Sequence, residues 1–286
     1  MVTSCAQSCG ELGRPRIGRR LLFDPTPMPP KGLGMTDTDL VEHAAAAGAA
    51  VEQAVAVFML HPQTYAESSA AGYENPLAGY VAGRGGVLGD ATGATVAAVF
   101  AVFEPTGLSA LWEQGVAVRG AAGAAEVYWE QAAEFGRRYL AAAHGLDRIA
   151  ELGERLIAVA PTSSVALFAG WKVMPLAGDA PARALQVMFV LRELRAGLHF
   201  NALSLSGISP IEAHMLNKGP RYAAMFGWPE PFADGADKKD RYAEVENTTN
   251  RRMAELVGIA WESAEIAEFA GLTAAALTTL EQTVPR

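Results

Sequence analysis

Asp179-Ala180-Pro181 begins a stretch that admits few folds. An aspartate accepts hydrogen bonds from the free N–H groups of a helix's first turn, and proline, which has no N–H, fits that turn. The helix it opens should run to about Leu203. Along it Leu185, Met188, Arg192, Arg195 and His199 fall three or four apart and share one stripe, apolar at its start and basic towards its end. Such a stripe can run from a core to the mouth of a pocket, where arginine and a titratable imidazole hold an anionic or polar ligand. With the helix ending near Leu203, His199 lies in its final turn, where the helix dipole favours the cation. The plainer reading is a surface stripe paired with acids such as Glu193 and Glu212, pairs that are common and worth little.

The rest of the chain repeats the helical signal. Leu40 to Leu60 carries Ala, Val and Leu at helical spacing behind the N-cap candidates Thr36 to Asp39, and ends at His61-Pro62. Ala91 to Phe103 is small and apolar, a buried helix or a strand. Ala121 to Ala143 and Leu146 to Val159 are amphipathic, and Ser163-Ser164 can cap a helix through Trp171. Ser209-Pro210-Ile211-Glu212 combines an N-cap serine, a first-turn proline and an acidic residue; Asn217-Lys218-Gly219-Pro220 closes that helix and Arg221 to Phe226 makes another turn. Two helices, Arg241 to Val257 and Ala264 to Leu280, end the chain. The fold class is therefore all-α, a multi-helix bundle. We divide it into an extension over 1–34 and helical subdomains over 35–175 and 176–286. The extension, rich in Arg, Pro and Gly without periodicity, is expected to be disordered, with Met35 a candidate start.

Composition narrows the function classes. A net charge of -8 and a pI near 5.2 argue against a bulk nucleic-acid scaffold, because acidic surfaces repel phosphate. The two cysteines, Cys5 and Cys9, both fall in the extension, so neither a disulfide framework nor a cysteine metal site supports the body. That cysteine usage makes a reducing cytoplasm the expected location, and apolar segments such as Val96 to Phe103, shorter than the roughly 18 residues of a membrane span, show no anchor and point to no membrane partner. Ala-rich apolar helices allow a homodimer.

Side chains able to do chemistry cluster at helix breaks. His61 and Tyr65 bracket the first. Gly83-Arg84-Gly85-Gly86 reads as a tight connector, with Arg84 the residue that could make it an anion site. Trp228 and Phe232 lie in a Pro-stiffened loop and either wall a pocket or anchor the loop. Two histidines without carboxylates at ligand spacing make a poor metal site.

Taken in order, His61-x-x-Thr64-Tyr65, Tyr80 to Arg84 leading to Leu88-Gly89, Phe100 to Pro105, and Leu191-Arg192-Glu193 with His199 and Ala202-Leu203 resemble an actinobacterial family of helical proteins labelled helix-turn-helix-like, found under the names SalK and EvbL. The resemblance spans roughly Leu40 to Leu280. It implies an all-α fold with a winged-helix-like C-terminal part, and brings neither a reaction nor a cofactor. Here that part is degenerate, since 217–240 is short and Pro-interrupted. The expected function is to bind a small polar or anionic ligand between the two halves through His61, Tyr65, Arg84, Arg192, His199 and Trp228. The alternatives are a transcription-regulator-like protein with weak DNA binding, and an enzyme using His61 or His199 as acid-base with Tyr65 as partner.

Overall fold

The computed structural model describes residues 36–285. The expected disorder of 1–34, the alternative start at Met35 and both cysteines lie outside them. Twelve α-helices form among the described residues, and no strand does. They are α1 (Asp37–Leu60), α2 (Pro62–Ala70), α3 (Pro76–Gly85), α4 (Gly93–Phe100), α5 (Pro105–Tyr139), α6 (Leu146–Val159), α7 (Ala166–Trp171), α8 (Ala180–Ser206), α9 (Pro210–Asn217), α10 (Pro220–Met225), α11 (Lys239–Ala260) and α12 (Ser263–Thr283). α5 breaks at Gly120, whose φ of 71° a glycine adopts at little cost. The amphipathic helix expected from Ala121 is the second half of α5, and the segment before the break is a helix too.

α8 is the axis. It packs against α1, α5, α6, α7 and α11, and from Ala184 to Leu191 every residue is buried. A helix apolar on nearly all sides belongs inside a protein, so where the sequence suggested a one-sided stripe the stretch from Ala184 to Leu191 is enclosed on every side, with Gln186 its one polar side chain. From Arg195 to Ala202 the same helix is half-buried, and there its polar side chains meet their partners. Asp179 caps it as expected, accepting from Ala182 N–H.

α1 is long and apolar enough to cross a membrane by composition alone. In this fold its apolar residues, among them Leu40, Val51, Val55 and Phe58, are buried in the core with α8, α11 and α12. α3 lies across α5 at a separation set by glycine. A Cβ on Gly83 would come within 2.8 Å of the Tyr128 side chain, and one on Gly86 would collide with the backbone carbonyl of Ala121. The glycine run is thus a close helix crossing rather than a phosphate cradle. One expectation about capping fails: Ser164 has a positive φ of 61°, and Val165 precedes α7 with no side-chain cap bond.

α9 and α10 are two short helices joined through Lys218 and Gly219. The capping box expected at Ser209 and Glu212 is present. They dock on the corner between α4 and α5, where the Val102 carbonyl accepts from both His214 Nε2 at 2.7 Å and Trp228 Nε1 at 2.9 Å. Phe226 packs at a tilt against both Phe103 (4.4 Å between ring centroids) and His214 (4.5 Å).

Candidate functional site

Arg84 closes α3 and Glu193 lies in the middle of α8, 109 residues later. The arginine Nε and Nη2 donate to the two carboxylate oxygens of Glu193, both at 2.9 Å, a two-pronged pair with both side chains almost fully buried. The guanidinium also lies 4.4 Å over the Phe100 ring. Burial alone would raise the Glu193 carboxyl; the guanidinium groups of Arg84 and then Arg192 outweigh it and hold the group down at about 2. Burial likewise opposes the charge on Arg84, and Glu193 more than restores it.

Arg192 is the third member. Its Nη1 donates to Glu193 Oε1 at 2.8 Å, and its side chain keeps 21% of its exposure. Two guanidinium groups therefore share one carboxylate. The surplus positive charge sits on the partner that solvent reaches.

Phenols surround this triad. Burial and then the neighbouring Tyr80 push the Tyr65 hydroxyl up to about 12. The same two causes, in that order, hold Tyr128 well above the ordinary phenol value. These groups stay neutral and able to donate. The Tyr128 hydroxyl is buried without a hydrogen-bond partner. Tyr80 packs edge-on to Tyr128 at 6.1 Å and lies 6.4 Å from Phe103. Arg84 and Glu193 are buried, and Tyr65, Tyr80, Phe103 and Arg192 are half-buried.

The six residues expected to line one site divide among four places. Tyr65, Arg84 and Arg192 belong to the cluster just described, though Glu193 occupies the bidentate face of Arg84, so the expected anion hook is an internal ion pair. His61 caps α2 through its Nδ1, which accepts from Gln63 N–H at 3.1 Å, and its ring packs on Phe135 and Tyr139. His199 belongs to a second polar cluster. There Arg195 reaches Glu52 of α1 and both Glu246 and Asn250 of α11, while His199 Nδ1 stands 3.5 Å from Glu246. α8 continues to Ser206, so His199 is not in the final turn, and burial lowers its pKa where the helix dipole was expected to raise it. Trp228 anchors its loop to Val102.

Glu193 is the residue that sequence reasoning misplaced, as a solvent-facing acid. The signal was its position one residue from Arg192 and about two turns beyond Leu185, at the end of an apolar stretch where an isolated carboxylate demands a cation. Among the described residues no group of three or more His, Cys, Asp or Glu could hold a metal ion.

The segment that would have to read DNA carries little positive charge. Residues 204–240 hold four lysines and arginines against five carboxylates, and Lys238 is bound to Glu212 at 2.7 Å. α10, in the place of a recognition helix, has six residues, and no strand is present among the described residues to form a wing.

A family described as a helix-turn-helix family matches residues 44–284, and the chain belongs to it. No curated protein and no solved structure matches the chain.

Proposed function

We propose that the protein binds a small anionic molecule at the Arg192 side of the buried triad, with Tyr65 and Tyr80 as the nearby phenols. The observation that carries this reading is the charge imbalance: two guanidinium groups on one carboxylate, with the excess on the half-exposed Arg192. Glu193 fixes that guanidinium in place, so less side-chain entropy is lost on binding. Tyr65, its hydroxyl pushed up to about 12 by burial and then Tyr80, is neutral at ordinary pH and adds a donor that does not compete as an anion. Within the family, the His61 to Tyr65, Tyr80 to Arg84 and Arg192 to His199 segments favour the SalK and EvbL branch, and a cytoplasmic location accords with this reading.

The test is a thermal-shift screen of small carboxylates and phosphates against the wild type and Arg192→Ala. The wild type should be stabilised by at least one of them, and Arg192→Ala should lose about tenfold or more in affinity for it. Equal shifts in both proteins, or none in the wild type, defeat the assignment. For an anion of fixed charge, affinity should stay level from about pH 6 to about pH 10, because neither guanidinium groups nor a phenol raised this far titrate there.

Family membership favours a second reading, a transcription-regulator-like protein with weak DNA binding. The acidic balance of 204–240 opposes it. In a gel-shift assay at low salt, a mixed-sequence duplex should migrate unretarded. Retardation that Arg221→Ala relieves would establish DNA binding instead.

A further inference from the structure

A groove of about 730 Å³ lies where α4, the first half of α5 and the α9 to α10 segment converge. Its lining is mostly apolar and includes Ala94, Ala98, Ala101 and the rings of Phe103 and Trp228, and Glu113 is the one charged side chain in it. That volume suits a small organic ligand, as does an apolar wall with few polar groups. Its aromatic edge is held in place, since the Trp228 indole donates to the Val102 carbonyl and Phe103 packs on Phe226. Ala101, next to that corner, has a φ of 58° in a tight turn closed by Val102 N–H to the Phe100 carbonyl at 2.6 Å, a conformation that costs an L-residue energy and persists only where the surroundings impose it.

We propose that this groove binds a lipophilic cation, an organic molecule of aromatic or alkyl groups carrying a positively charged nitrogen or phosphorus centre. The electrostatics select the sign. Aromatic faces attract cations through the ring quadrupole, and the nearby carboxylate of Glu113 adds to the same preference. Glu113 Oε1 accepts from the first N–H of α4, Gly93, at 3.2 Å, which orients the carboxylate without neutralising it. An anion in the groove would face that carboxylate with no lining cation to offset it. Its lining includes neither Arg84 nor Arg192, and it selects the opposite charge. Pro210, which opens α9, also lines it, so an occupant would touch both the α4 to α5 body and the helix-turn-helix pair.

Tetraphenylphosphonium and tetraphenylborate share a shape and differ in sign, and they provide the test on the full chain. Isothermal titration should show tetraphenylphosphonium binding, with quenching of tryptophan fluorescence. Glu113→Gln should weaken it about three- to fivefold. Ala98→Trp, at an exposed position on the groove wall, should abolish it by filling the space. Tetraphenylborate should be unaffected by Glu113→Gln or should gain from it. The proposal is overturned if tetraphenylphosphonium does not bind, if it binds with the same affinity in both variants, or if tetraphenylborate is blocked by Ala98→Trp and binds there as well as the cation does.

Discussion

Glu193→Ala should lower folding stability by about 3–5 kcal/mol, the cost of leaving a buried guanidinium without its counter-charge. Arg84 is 2% exposed and directs both prongs of its fork at this one carboxylate, so neither water nor a neighbouring acid can replace it. Urea unfolding followed by circular dichroism measures the loss. Replacing both partners with apolar residues of similar size, Arg84→Met with Glu193→Leu, should recover a large part of it, because the double variant removes the uncompensated charge along with the bond. A double variant as unstable as Glu193→Ala would show that the pair contributes by shape rather than by charge. Acid should act the same way. Because the folded carboxyl titrates at about 2, below an unfolded glutamate near 4.3, its contribution is present above about pH 4.3. It is lost as the pH falls from there towards about 2.

Gly86→Ala should cost about 3 kcal/mol. The position has an ordinary helical φ of -61°, so alanine suits the backbone and would normally gain helix propensity. The obstacle is the Ala121 carbonyl on α5, which cannot rotate aside as a side chain could. The crossing of α3 over α5 must open, and Arg84, two residues earlier, moves with it. Gly271→Ala is the matched control. It lies in α12 with nothing within 4 Å of the added methyl, and should be neutral or stabilising by up to about 1 kcal/mol. Thermal melts of the two variants, run in parallel, check both values; a Gly86→Ala protein as stable as the control would mean that the crossing is loosely packed.

What the sequence revealed depended on the range of the interactions involved. Helix ends are written within four residues. The Asp179, Ser209 and His61-Pro62 boundaries were therefore legible, and so was the match between Leu146–Val159 and the observed α6. Capping of α7 misled, because Ser164 needed its own conformation and that is decided by packing. The arginines of the candidate site could be named as residue types that bind anions. Which one is free for that work could not, because it is decided by a carboxylate that joins Arg84 from 109 residues away. The same holds for His199, whose neighbours Glu52 and Glu246 come from opposite ends of the chain. Composition identified the Ala-rich segment over α4 as core, yet the groove beside it exists because a loop more than a hundred residues later closes over that corner.

The distance between Arg84 and Glu193 also sets an order of events during synthesis. At about 5–20 residues per second, on the order of 5–20 s separate the emergence of the arginine from that of its carboxylate. Until α8 leaves the ribosome, α3 has a cation without its carboxylate and α5 lacks one of the helices it packs against. Before then α3, α4 and α5 can pack on one another, but the apolar faces that α8 covers stay open to water.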